Sequence, residues 1–293
     1  MNTKTAYCIF IFLVVIVAVL SCNTAAKPSK SLDITEPLIL TDVAYGTDPL
    51  QKMDIALVAN RTEQTPLVVL VHGGGWMGGD KKDADFMKDA CFANGINVVN
   101  INYRMGTDIH YREMMTDIDN AVSHLLAHAD EWNIRKSKFV FWGGSAGAHL
   151  SLLYAYNYDK RDVISLVITL GAPVKLDALD SMSGAKQSDI EGLLPIVTGK
   201  PWNSNPELLD AAYKEASPYY GKNLKPSFLV HGDKDNIVPK QQSVLMSNKL
   251  KENNVADTLA ILPNGGHGGE NTPKEVSERL NVAMYNWIMR YSK

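Results

Sequence analysis

Cysteine is scarce in this chain. Three occur among 293 residues, at positions 8, 22 and 91. Two fall in the first two dozen residues, which leaves only Cys91 for the folded body and excludes an internal disulfide framework, even for an exported protein. No Cys/His cluster has zinc-site spacing. An excess of charge of one sign is also lacking: 29 Lys and Arg face 32 Asp and Glu, interspersed, for a net charge of −3. Without a basic block or an acidic tail, no nucleic-acid partner and no charged disordered tail are expected. Internal repeats and low-complexity stretches are missing, which excludes a solenoid.

Long hydrophobic runs are equally few. The one unbroken run, residues 9–20, follows Lys4 and ends at Ser21-Cys22. A dozen apolar residues suit the core of a signal peptide better than a bilayer span. Val19-Leu20-Ser21-Cys22 resembles the lipobox of bacterial lipoproteins, although Val19 and Leu20 replace the more usual Leu and small residue. The resemblance implies that residues 1–22 are a signal peptide, that Cys22 carries lipid, and that the protein is exported and anchored at a membrane. An ordinary signal peptide cut nearby, or an uncleaved anchor, are the alternatives. Residues 23–32 are polar, contain Pro28 and read as a tether. The folded domain is then expected over residues 33–293.

That domain is long enough for one large core, with 45% of the chain hydrophobic. Residues 38–45 and 51–58 read as a hairpin around the turn Gly46-Thr47-Asp48-Pro49. Residues 67–71, Leu-Val-Val-Leu-Val, form a continuous apolar run of the kind buried on both faces of a parallel sheet. Further strands are expected over 97–101, 139–142, 163–170, 226–230 and 258–262. Helical spacing of Ile118, Ala121, Val122, Leu125, Leu126 and Ala129 predicts a helix over 117–132. Helices are also expected over 148–153, 240–251 and 273–291, with Pro273 suited to a first turn. Strands alternating with helices predict a mostly parallel sheet covered on both faces. The stretch 175–220 breaks this rhythm. With short helices expected at 187–196 and 206–216, it reads as a small cap over the C-terminal edge of the sheet.

The chemistry centres on Gly143-Gly144-Ser145-Ala146-Gly147, a Gly-x-Ser-x-Gly pattern between a strand and a helix. In that context it is a nucleophile elbow, which presents the Ser145 hydroxyl at a sharp turn. Acyl transfer further needs a base and donors for the developing oxyanion. Both are expected on loops at the C-terminal ends of strands. His72-Gly73-Gly74-Gly75-Trp76 follows residues 67–71 and matches an HGGG-type oxyanion loop. The donors are assigned to the N–H groups of Gly74, Gly75 and Ala146, with His72 a structural residue of the loop. His267, in the Gly-rich loop after the last strand, is the expected base. Asp233 and Asp235 compete to orient it, and Asp235 is preferred because Ile237-Val238 would bury it. His110, His124, His128, His149 and His231 fit the base less well.

These residues carry a resemblance. Met53-Asp54-Ile55, His72 to Trp76 with Gly79-Asp80-Lys81, Asn102-Tyr103-Arg104, Gly143 to Leu150, Ala216-Ser217-Pro218, His231 to Pro239 and Gly266-His267-Gly268 together resemble an α/β-hydrolase. The group resembled is that of bacterial carboxylesterases, which includes feruloyl and acetyl-xylan esterases and lies near the hormone-sensitive lipases. It implies the α/β-hydrolase fold and a triad at Ser145, Asp235 and His267. Two departures are Gly144, where Asp is frequent, and Ala148, where Gly is usual. The expected activity is cleavage of small acyl or carbohydrate-linked esters through an acyl-enzyme, with no cofactor. An amide-cleaving hydrolase on the same triad and a non-catalytic binding protein on this scaffold are the alternatives.

Overall fold

The computed structural model describes residues 32–178 and 187–293. The expected signal peptide, Cys22 and nearly all of the tether lie outside the described residues. Among the described residues no helix is long and apolar enough to cross a membrane.

Eight strands form one sheet: β1 (Leu38–Ala44), β2 (Lys52–Leu57), β3 (Leu67–Val71), β4 (Asn97–Ile101), β5 (Phe139–Gly144), β6 (Ile164–Leu170), β7 (Ser227–Gly232) and β8 (Asp257–Leu262). Their spatial order is β1-β2-β4-β3-β5-β6-β7-β8. The β1–β2 hairpin and the β2–β4 pair are antiparallel, and every other pair is parallel. The sequence patterns explain this division. β3 and β4 are buried at every position, as strands covered on both faces must be, whereas β1 at the edge alternates between exposed and half-buried.

Side-chain alternation sends neighbouring residues into two separate cores. Leu67, Val69, Val71, Phe139 and Phe141 point to one face, while Val68, Leu70 and Val140 point to the other. The first face is covered by α2 (Tyr111–Ala127), α4 (Ala146–Leu153), α6 (Ala212–Glu215) and α7 (Gln241–Glu252). The second is covered by α1 (Asp85–Ala93) and the C-terminal α8 (Lys274–Tyr291), which contribute Cys91, Met284 and Ile288. The mostly parallel α/β sheet expected from the sequence is therefore present.

Several boundaries differ from the sequence reading. α2 begins at Tyr111, six residues before the expected start, because Tyr111, Met114 and Met115 continue the buried face of Ile118. It ends at Ala127, and the last turn of the expected helix is a separate short α3 (Ala129–Trp132) closed by Asn133 in a left-handed conformation. In the 175–220 stretch, α5 runs Gln187–Thr198. The expected helix at 206–216 resolves into a 3-10 turn, Pro206–Leu208, and the four-residue α6. Each is too short to be set by periodicity.

Candidate active site

The loops after β3, β5, β7 and β8 all leave the C-terminal ends of parallel strands. β3 lies beside β5 and β7 beside β8, so four sequence-distant segments meet along one edge.

Ser145 stands between β5 and α4 with φ 53° and ψ −121°. Holding a serine in such a backbone conformation costs about 1–3 kcal/mol and persists only where the surroundings enforce it. They do so here. The Ser145 N–H donates to the Leu170 carbonyl at 2.8 Å, and the Ser145 carbonyl accepts the first-turn N–H of His149 at 3.0 Å. The turn also needs a bare backbone at Gly147, where a Cβ would lie 2.1 Å from the Val71 carbonyl oxygen and 2.4 Å from that of His72. This contact presses the elbow against the end of β3, from which the glycine loop departs.

That loop makes a chain of left-handed residues: φ is 110° at Gly74, 60° at Gly75 and 61° at Trp76. Its root is held from below by His72. The His72 ring is buried, stacks on Tyr103 at 4.5 Å and has its pKa lowered by burial. The Tyr103 hydroxyl donates to the His72 carbonyl at 2.9 Å. His72 is thus built into the packing at the root of the loop.

Asp235 is buried at the base of the β7 loop and receives four hydrogen bonds. One oxygen, Oδ1, accepts the N–H groups of Ile237 at 2.9 Å and Val238 at 2.8 Å. The other, Oδ2, faces His267 Nδ1 at 2.7 Å and His231 Nε2 at 3.1 Å. Burial works against the charged carboxylate, but the hydrogen bonds from His231 and His267 outweigh it and hold the Asp235 pKa well below the ordinary carboxylate range. Asp233, the competitor, makes no such contact, and its Oδ1 is buried without a hydrogen-bond partner.

Ser145 and His267 line the same cavity of about 300 Å³, together with Gly74, Gly75, Trp76, Pro173, Leu193, Leu194, Ile237 and Val238. No direct hydrogen bond joins Ser145 to His267 among the described contacts, and such bonds often tighten only when substrate is bound. Leu193 and Leu194 come from α5, so the 175–220 stretch supplies a wall of this cavity. A larger cavity of about 410 Å³ lies between α1 and α8, but neither Ser145 nor His267 lines it. Among the described residues no group of three His, Cys, Asp or Glu side chains converges as a metal site.

Sequence reasoning missed three sets of partners. His231, which fitted the base less well, is fully buried, and its single Nε2–H is shared between Asp235 Oδ2 at 3.1 Å and the Val238 carbonyl at 2.7 Å. His149 is buried between Trp76 and the Ala216 carbonyl. Several motif residues without an assigned role are tied to partners distant in sequence. Asp80 binds Asn102 at 2.9 Å, and buried Lys81 binds Asp42 at 2.8 Å and Asp54 at 3.2 Å. Arg104 pairs with the fully buried Asp117 at 2.7 Å. Only the residue types of these partners were visible in sequence, because, outside the loop that joins His231 to Asp235, each contact spans at least 13 positions of chain.

The BD-FAE family model matches residues 53–250, well over half of the chain. The chain belongs to the BD-FAE family. This BD-FAE chain is similar to Esterase LipC of Mycobacterium tuberculosis, at 23% identity over 77% of its own length and 59% of the relative's. It is also similar to Endo-1,4-beta-xylanase B of Butyrivibrio fibrisolvens, at 23% identity over 78% of its length and 35% of the relative's. The chain therefore spans less than two thirds of either relative. Among solved structures, a truncated carbohydrate esterase from gut microbiota superposes with a TM-score of 0.72 at 20% identity, covering 89% of this chain and 98% of that one. That likeness establishes the α/β-hydrolase fold.

Proposed function

We propose that this chain is a serine esterase acting on small acyl or carbohydrate-linked esters through an acyl-enzyme. One observation carries the reading: Ser145, on a strained elbow, shares an apolar cavity with His267, whose Nδ1 is bound to the buried carboxylate of Asp235. The esterase names of its relatives support the same reaction class.

On this reading each residue of the site has a step. Asp235 accepts a hydrogen bond from the Nδ1–H of His267, which fixes the proton on Nδ1 and leaves Nε2 free to act as a base. His267 takes the Ser145 proton as Oγ attacks the ester carbonyl. The carbonyl oxygen becomes an oxyanion stabilised by the N–H groups of Gly74, Gly75 and Ala146. The Ala146 N–H opens α4, where no intrahelical acceptor exists and the helix dipole favours negative charge. The tetrahedral intermediate collapses, His267 protonates the departing alkoxide, and the alcohol leaves. Water, deprotonated by His267, then attacks the acyl carbonyl; His267 returns the proton to Ser145 Oγ as the C–O bond breaks, and the carboxylic acid leaves.

The apolar walls of the cavity suit the acyl part of an ester. The deciding experiment is a panel of p-nitrophenyl esters from acetyl to octanoyl, with acetylated xylan, methyl ferulate and an N-formyl aromatic amine. The proposal expects short esters to turn over fastest. Turnover of the amide alone would transfer the assignment to an amide hydrolase. We also propose that residues 1–22 direct export and that Cys22 carries the lipid anchor. Metabolic labelling with a radioactive fatty acid tests this, and label persisting in Cys22→Ala would reject it.

A further inference from the structure

We propose that His149 is a positioning residue: it clamps Trp76, and through Trp76 the far end of the glycine loop, against the helix that follows Ser145. The inference rests on the esterase reading only for its kinetic consequence.

The clamp follows from what each partner can do. The indole Nε1–H of Trp76 can only donate, and it points to His149 Nδ1 at 3.2 Å, with the two rings edge-to-face at 87°. The Ala216 carbonyl can only accept, and it lies 2.7 Å from His149 Nε2. Both contacts are satisfied by one species alone, the neutral imidazole with its proton on Nε2. The ring is fully buried, and burial pushes its pKa down to about 4. The same tautomer therefore holds throughout neutral pH.

Trp76 is the residue that most needs such a hold. It is bulky, almost wholly buried and left-handed at φ 61°, a conformation that L side chains rarely adopt. It ends the run of three left-handed residues that carries Gly74 and Gly75. The root of the loop is fixed by Gly147 packing on Val71 and His72, but its far end needs another tie. His149 lies one helical turn beyond Ser145, on the element that begins with Ala146. The Trp76–His149 bond thus joins the two elements that present the oxyanion donors. Ala216, on the other side, links the clamp to the segment that follows α6.

The test uses the full chain carrying Trp76→Phe, His149→Gln and His149→Asn. Gln can still donate to Ala216 but offers Trp76 no acceptor at the Nδ1 position. Asn can accept from Trp76 but does not reach Ala216. The proposal expects W76F and H149Q to lower kcat on p-nitrophenyl acetate by about tenfold or more. KM should stay within about threefold, and H149N should recover most of the lost rate. A ¹⁵N spectrum of the wild-type protein should show His149 unprotonated at Nδ1, with a slowly exchanging Trp76 indole proton that shifts in H149Q. Unchanged kcat in W76F, a loss confined to KM, or H149N as impaired as H149Q would overturn the proposal. Should the variants not fold, a wild-type spectrum with Nδ1 protonated would do the same. If the wild type hydrolyses no ester, the esterase reading fails, while the spectrum still decides whether the clamp exists.

Discussion

Replacing Asp235 with Asn separates orientation from mere proximity. The carboxylate accepts two hydrogen bonds on each oxygen, from the Ile237 and Val238 N–H groups on Oδ1 and from His267 and His231 on Oδ2. An amide has one oxygen and one NH₂. With its oxygen kept on the backbone donors, its NH₂ faces His267, which can then only accept at Nδ1. The imidazole proton moves to Nε2, and His267 can no longer take the Ser145 proton. The wrong tautomer in a serine triad lowers kcat by about 10⁴, equivalent to about 5 kcal/mol of transition-state stabilisation. The assay is kcat on p-nitrophenyl acetate, with a circular dichroism melt to show that the variant is folded. Asp233→Asn is the control, since Asp233 makes no contact with His267. A folded D235N variant within about tenfold of wild-type kcat would refute the reasoning. A large loss in D233N alone would move the orienting role to Asp233.

Two further perturbations follow. Gly147→Ala places a Cβ 2.1 Å from the Val71 carbonyl oxygen and 2.4 Å from that of His72, so it should abolish turnover and lower Tm, as thermal unfolding would show, whereas wild-type activity would reject the tight elbow. His149 makes stability pH-dependent. The unfolded chain takes up a proton on this side chain below about pH 6.5, while the folded state resists it until about pH 4. As pH falls through that window the unfolded state binds more protons, and the folded state loses about 3 kcal/mol. Urea midpoints measured from pH 7 to 4 should decline less steeply in His149→Gln than in wild type, and parallel curves would contradict the buried neutral histidine.

The parts of the site that chemistry constrains locally were legible in the sequence. The elbow needs glycine at Gly147 because of one backbone contact, and the buried strand β3 needs an unbroken apolar run, so both leave a short-range mark. α1 was not legible, because its apolar residues do not share one face: Phe86 is exposed while Cys91 is buried. Asp117 opened the helix expected over 117–132, yet it lies inside α2, wholly buried, and answers to Arg104 and to Gln51, 66 positions away. The role of His149 was hidden for the same reason. An imidazole's task is set by what faces its two nitrogens, and for His149 the facing groups arrive from other loops.

The central claim is that Ser145 is the nucleophile, and active-site labelling tests it most directly. A fluorophosphonate probe, followed by peptide mass analysis, should modify Ser145 once per chain and abolish ester turnover. Ser145→Ala should stay folded, take no label and be inactive. Label on another residue, or ester turnover that survives in folded Ser145→Ala, would contradict the account.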